Sequence, residues 1–184
     1  AQYCGAQHFF AENGQVMRRI AAFLLPILIV FSVTACTAQN IQAEDVDFAF
    51  HCKANINCNS EQISCDLSHT APGMASIQLL SGDLNGLSYY WSGDDFTVSY
   101  SGLSAKSDDC VLPQTSFAVI LLQTLDYAQK SGALTKTHGN EFSGSLNGVD
   151  FTLTADSSTG HIQTISIPHS KITAELYDYT EQGL

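Results

Sequence analysis

Positive charge is scarce in this sequence: its 184 residues carry seven Lys and Arg against 18 Asp and Glu, a formal net charge of -11. That deficit argues against a nucleic-acid partner, because phosphate binding needs a basic patch. It also sets the chain against anionic headgroups and wall polymers, over about a Debye length. Metal knuckles are missing too. His51, Cys52, Cys58, Cys65 and His69 supply the donors zinc prefers, but there is no CxxC pair, and His51 and Cys52 fall on opposite faces of a strand. No G-x-S-x-G or comparable nucleophile elbow is present. His138, His161 and His169 sit in polar, turn-like contexts and read as solvated. The acid pairs Asp94–Asp95 and Asp108–Asp109 lack the alternating oxygen ligands of a calcium loop and also read as solvated. No constellation points to an enzyme, a metal or a cofactor. The chain also lacks long low-complexity segments and fixed-period repeats.

What is present starts near the N-terminus. Arg18 and Arg19 form a short basic region, followed by the apolar run Ile20 to Val33. A spanning helix needs roughly 20 apolar residues; this run is shorter and broken by Pro26, which suits a signal peptide over residues 17–35. Val33-Thr34-Ala35-Cys36 then resembles the lipobox of bacterial lipoproteins, in which small residues precede a Cys that receives a diacylglycerol thioether. That resemblance makes Cys36 the lipidated residue and holds the mature protein on the extracytoplasmic face of the cell membrane without spanning it. The alternatives are an uncleaved anchor or ordinary cleavage near Ala35 or Ala38. Residues 1–16 precede Met17 and read as a start-site or cloning extension, so Cys4 carries no role.

Removing residues 1–35 leaves one domain's length of chain with five Lys against 17 Asp and Glu. The lipid rather than surface charge must then anchor it, since two acyl chains at about 0.8 kcal/mol per buried methylene give stable attachment. Residues 36–44, Cys36 followed by TAQNIQAE, read as a polar tether. The folded domain is expected over residues 45–184.

From Asp45 the pattern has period two. Phe48, Phe50, Cys52, Ala54 and Ile56 alternate with polar neighbours, and after a turn over Asn57 to Ser60 the alternation resumes at Ile63, Cys65 and Leu67. Strands follow at 75–80, 87–91 and 96–100. A helix is expected over 116–130, with Pro113 near its start, Thr115 or Ser116 as N-cap and Gly132 as stop. Phe117, Val119, Ile120, Leu121, Leu122 and Leu125 make it apolar nearly all round, as buried helices are. Strands return at 141–146 and 149–155, joined by Asn147-Gly148, a strong hairpin signal, then at 162–167 and 171–179. The expected fold is α+β, with about nine antiparallel strands around one long helix.

The order of these elements carries a further likeness. The unit Leu87-Ser88-Tyr89-Tyr90-Trp91-Ser92-Gly93-Asp94-Asp95-Phe96, the helix, Leu146-Asn147-Gly148-Val149-Asp150-Phe151 and Asp156-x-x-x-Gly160 resemble half-barrel proteins related to the outer-membrane lipoprotein carrier (LolA-like). More narrowly, the chain is similar to uncharacterised lipoproteins of clostridial-type bacteria. The resemblance implies a curved antiparallel sheet wrapped around a helix-lined apolar cavity that takes acyl chains. A lipidated Cys36 departs from the soluble carrier, which argues against a shuttle of lipoproteins between membranes.

Two groups of residues remain as candidate sites. Cys52 and Cys65 share a face and fall roughly opposite each other in the expected hairpin, so a disulfide between them is geometrically open. A Cys58–Cys110 pair and free thiols are the alternatives. In the aromatic cluster, alternation puts Tyr89 and Trp91 on one face and Tyr90 on the other. With Phe117 and Leu121 of the helix, Tyr89 and Trp91 are either core or a ligand or partner surface. The functional expectation is a non-enzymatic envelope lipoprotein binding a lipid or other hydrophobic ligand. The alternative is an envelope protein that uses the half-barrel to contact a protein partner.

Overall fold

The structure is a computed structural model, and it describes residues 40–107 and 116–180. Cys36, its signal segment, the 1–16 extension, Cys4, Asp108, Asp109, Cys110 and Pro113 lie outside the described residues.

Among the described residues, six strands precede the helix: β1 (Phe50–Cys58), β2 (Glu61–Ala71), β3 (Met74–Leu79), β4 (Ser88–Trp91), β5 (Phe96–Tyr100) and β6 (Leu103–Ser107). The helix α1 (Phe117–Ala128) leads into β7 (Thr135–His138), β8 (Glu141–Leu146), β9 (Val149–Ala155), β10 (Ile162–Ile167) and β11 (Ile172–Thr180). All eleven form one sheet in the order β6-β5-β4-β3-β2-β1-β11-β10-β9-β8-β7. The expected count of nine is corrected by β6 and β7, the two edge strands. The helix is also shorter than expected, at 12 residues.

The sheet must curl. Helix α1 touches both β3 and β8, which stand six strand spacings apart in the sheet order. Laid flat, six spacings cover about 29 Å, while a helix with its side chains is only about 10–12 Å across. One helix reaches both strands only if the sheet bends around it. Its inner face supplies Ala118, Leu121, Leu122 and Leu125 to the core, against Phe142, Phe151, Leu153, Ile77 and Ile165 from the strands.

Hairpin connectivity gives the wrap two distinct ends. One end carries the turns at Pro72-Gly73, Ser92–Asp95, Gly139-Asn140 and Asp156–His161. Residues 40–48, expected as tether up to 44, are strapped over this end instead. Ile41 and Val46 are buried, Lys136 on β7 donates to the Asn40 side chain and the Ile41 carbonyl, and the Asp47 N–H donates to the Gly160 carbonyl at 2.9 Å. An isolated Ile in a polar run gives little sequence signal, yet burying it contributes about 1.5–3 kcal/mol. The other end carries Asn59-Ser60, the 80–87 loop, Ser101-Gly102, Asn147-Gly148, the 3-10 turn Pro168–Ser170 and the start of α1.

The β1–β2 turn corrects the register of the first hairpin. Asn59 and Ser60 take left-handed φ of 51° and 74°, so the turn falls later than the expected 57–60. Cys52 consequently pairs with Leu67 and Cys65 with Ala54. Lys171, between the 3-10 turn and β11, is another non-glycine residue in the left-handed region, at φ 52°, where an L side chain costs roughly 1 kcal/mol.

Candidate functional site

A cleft of about 750 Å³ opens at the end opposite the strap. Val119, Ile120, Gln123 and Thr124 of α1 form one wall; Leu146, Asn147 and Val149 of the β8–β9 hairpin face them. The rim is completed by Asn59 of the β1–β2 turn and by His169 and Ser170 of the 3-10 turn. Three chain reversals thus meet one outer flank of the helix. The volume lies within the range of about 300–1,000 Å³ for small-molecule sites, and the lining mixes apolar Val119, Ile120, Leu146 and Val149 with six polar residues. The Thr124 hydroxyl is turned inward, donating to the Ile120 carbonyl at 2.7 Å, so it adds no free donor to the cleft.

The sequence-derived candidates separate in space. Tyr89 and Phe117 are half-buried and meet edge to face at 6.1 Å. Trp91 is buried against Phe96, with ring centres 4.6 Å apart, and Leu121 is fully buried in the core. The four therefore do not form one ligand surface: Trp91 and Leu121 are core residues, because the sheet closes over the same helix face that carries them. Tyr90 on the opposite face of β4 is exposed. Asp95 is also corrected from solvated to buried. It accepts from Ser92 Oγ at 2.6 Å and pairs with Lys106 at 2.7 Å, and the Lys106 bond, then the Ser92 bond, hold its carboxyl below the usual range.

The expected Cys52–Cys65 disulfide is not formed; both are free, buried thiols. Their shifted register makes them diagonal neighbours, at about 7–8 Å between Cα atoms, beyond the roughly 4.4–6.8 Å that a disulfide spans. Burial pushes each thiol up to about 12. Alkylation of the native protein at pH 8 should therefore label half-buried Cys58 and spare Cys52 and Cys65 until denaturant is added. Peptide mapping that finds Cys52 modified as fast as Cys58 would contradict this placement. His51 is exposed while Cys52 is buried on the other face of β1. Among the described residues, no three His, Cys, Asp or Glu side chains gather closely enough to hold a metal.

A polar latch at the covered end was not legible in the sequence. His69 on β2 is fully buried, packed against Phe50 with ring centres 6.0 Å apart. Its Nδ1 lies 2.5 Å from the Phe48 carbonyl, which requires Nδ1–H as donor and leaves Nε2 to accept from Gln129 Nε2 at 3.4 Å. Gln129 also donates to Asp126 Oδ1 at 3.1 Å, and Asp126 accepts the Gly73 N–H, tying the end of α1 to the β2–β3 turn. Only neutral His69 fits, since a second ring proton would face the amide protons of Gln129. Burial lowers its pKa, opposed by the Phe48 carbonyl and by Asp126. The unfolded chain therefore takes up the proton first. Stability is full above about pH 6.5, the unperturbed imidazole value, and is lost as pH falls below it. Melting temperature measured from pH 7.5 to 5 should fall more steeply for the wild type than for His69→Gln; parallel curves would remove His69 from the acid response.

What sequence reasoning missed at the cleft is its rim. Asn59, Asn147, His169 and Ser170 are turn residues, far apart in sequence, and only the β1–β11 pairing brings their hairpins together. The one available signal was topological, because in an antiparallel meander alternate turns share an end.

No protein-family model and no curated protein matches the chain. Among solved structures, it is similar to a LolA superfamily protein from Nitrosomonas europaea, with a TM-score of 0.42 and 10% sequence identity over 82% of this chain and 96% of that chain.

Proposed function

We propose that this protein is a non-enzymatic envelope lipoprotein that binds a lipid or other hydrophobic ligand in the cleft between α1 and the β8–β9 hairpin. The observation that carries the reading is the cleft itself: about 750 Å³, with Val119, Ile120, Leu146 and Val149 as the apolar part of its lining, at the end opposite the N-terminal strap. The signal-like segment and lipobox at 17–36 support attachment to the cell membrane through Cys36.

Native mass spectrometry after gentle extraction tests the binding. A co-purifying lipid is expected on the wild type. Ile120→Trp, which fills the cleft from a position that is only half-buried, should lower its occupancy at least tenfold, about 1.4 kcal/mol. Absence of any bound lipid, together with no uptake of a fluorescent fatty-acid analogue, would defeat the reading.

A second reading, contact with an envelope protein, is favoured by a separate observation. Leu84, Tyr100 and Leu103 are exposed at the same end, and the Tyr100 hydroxyl donates to the Asp83 carbonyl at 3.2 Å, joining the two loops that carry them. Such a patch is what a partner surface offers. Leu103→Lys should break that contact and leave lipid occupancy intact.

A further inference from the structure

We infer that Lys171 forms a cationic lip on the cleft that selects apolar ligands bearing an anionic headgroup. The inference rests on the reading of the cleft as a ligand site.

The charge pattern carries it. Among the described residues, no carboxylate lines the cleft, whose described polar groups are amides, hydroxyls and the His169 imidazole. Glu61 and Asp150, near the lining residues Asn59 and Val149 in sequence, are exposed and outside the lining. A cationic headgroup would find no counter-charge among the described lining residues. Lys171 follows the lining residue Ser170, and its carbonyl accepts the N–H of the lining residue Asn59 at 3.3 Å, so its backbone is fixed between two residues of the rim.

Its ammonium is also uncommitted. Lys53 pairs with Asp178 at 3.0 Å, and Lys106 with Asp95 at 2.7 Å. Lys136 is spent on Asn40 and Ile41, and Lys130 stands over the Tyr127 ring at 5.8 Å. Among the described residues, Lys171 is the lysine without a carboxylate, ring or side-chain acceptor, and it is exposed. The backbone gives an independent sign. Position 171 takes φ 52°, which glycine or asparagine would hold with less strain, so a lysine here is not explained by the turn. Strained residues that persist in a fold cluster at ligand clamps, and a lysine whose backbone joins two rim residues is one flexible side chain's length from a headgroup carboxylate or phosphate at the mouth.

Single-chain probes of equal tail length separate the possibilities: laurate, dodecyl phosphate, dodecanol and dodecyltrimethylammonium, titrated calorimetrically into the full chain. The wild type should bind the two anions roughly tenfold more tightly than dodecanol, with the cation weakest, and the gap should shrink as salt rises. A laurate preference points to a free fatty acid, and a phosphate preference to a lipid headgroup. Lys171→Gly, which relieves the backbone strain and so keeps the fold, should bind laurate no better than dodecanol. A Lys171→Gly protein that retains the anion preference, or a wild type that favours the cation, overturns the lip. If no probe binds the wild type, the cleft reading falls and takes the lip with it; dodecanol binding without anion preference overturns the lip alone.

Discussion

Truncation of Phe151 to alanine is expected to remove about 3–5 kcal/mol of stability, the range for emptying a buried aromatic site. Phe151 is fully buried on β9. Opposite it on β8 is Gly144, where a Cβ would run into the Phe151 ring and lie 2.8 Å from the Ala133 carbonyl oxygen. The ring thus fills the space that the glycine leaves, and the edge of Tyr127 from α1 closes it from above, with ring centres 6.3 Å apart at 86°. With no side chain on Gly144 to move in, the cavity cannot collapse from below. A melting temperature lower by roughly 10 °C or more follows for a chain of this size. A double-mutant cycle with Tyr127→Leu should show coupling of about 0.5–1.5 kcal/mol, the value of an aromatic edge contact. A shift of only one or two degrees for Phe151→Ala would mean that helix and sheet are not packed as described.

Gly160→Ala is the second large effect, expected at about 2–4 kcal/mol. Gly160 sits at φ 77°, and a Cβ built on it would overlap the carbonyl oxygen of Asp45. The left-handed backbone alone disfavours alanine by roughly 1–2 kcal/mol. The overlap falls on backbone, not on a flexible side-chain tip, so the strap must lift, weakening the Asp47–Gly160 hydrogen bond and the burial of Ile41 and Val46. The signature is local as well as global. Amide exchange should quicken in residues 41–48 before it quickens in β1 or β11. Unchanged protection of the strap in a folded Gly160→Ala protein would show that the overlap is absorbed elsewhere.

The parts of this fold that were legible in the sequence are those where one face of a strand is buried and the other is wet. Asn147-Gly148 gave β8 and β9 with their observed bounds, and Ile162–Ile167 was legible as β10 for the same reason. Strands β6 and β7 were not legible because they are the sheet edges. Residues 101–106 are all exposed and β7 has no buried residue, so the composition Leu-Ser-Ala-Lys-Ser or Thr-Lys-Thr-His shows no alternation to detect. The misplaced disulfide came from a turn centred one residue early, which shifts the pairing by two. A shift of two preserves which residues face inward but moves Cys65 from opposite Cys52 to its diagonal. At the candidate site, Ile120 was recognisable as apolar helix surface, but one apolar position on a helix apolar all round does not say which flank the sheet leaves open. Trp91 and Leu121 were drawn into the candidate surface because their faces were right; their burial depends on how far the sheet curls, which no local pattern encodes.

The position of β1 and β11 side by side at the centre of the sheet has a consequence for how the chain reaches this state. Every other strand pair on either side is a hairpin between sequence neighbours, cheap to close and quick to form. The seam between the first and last strands, where Lys53 meets Tyr177, joins chain ends that are far apart and carries nearly all of the non-local pairing. Two meanders can therefore assemble independently, and their zippering should be the slow event, with the overall rate set by that one long-range closure rather than by the number of strands. Substitutions in the outer hairpins would then alter how fast the protein unfolds, while those at the seam would alter how fast it folds.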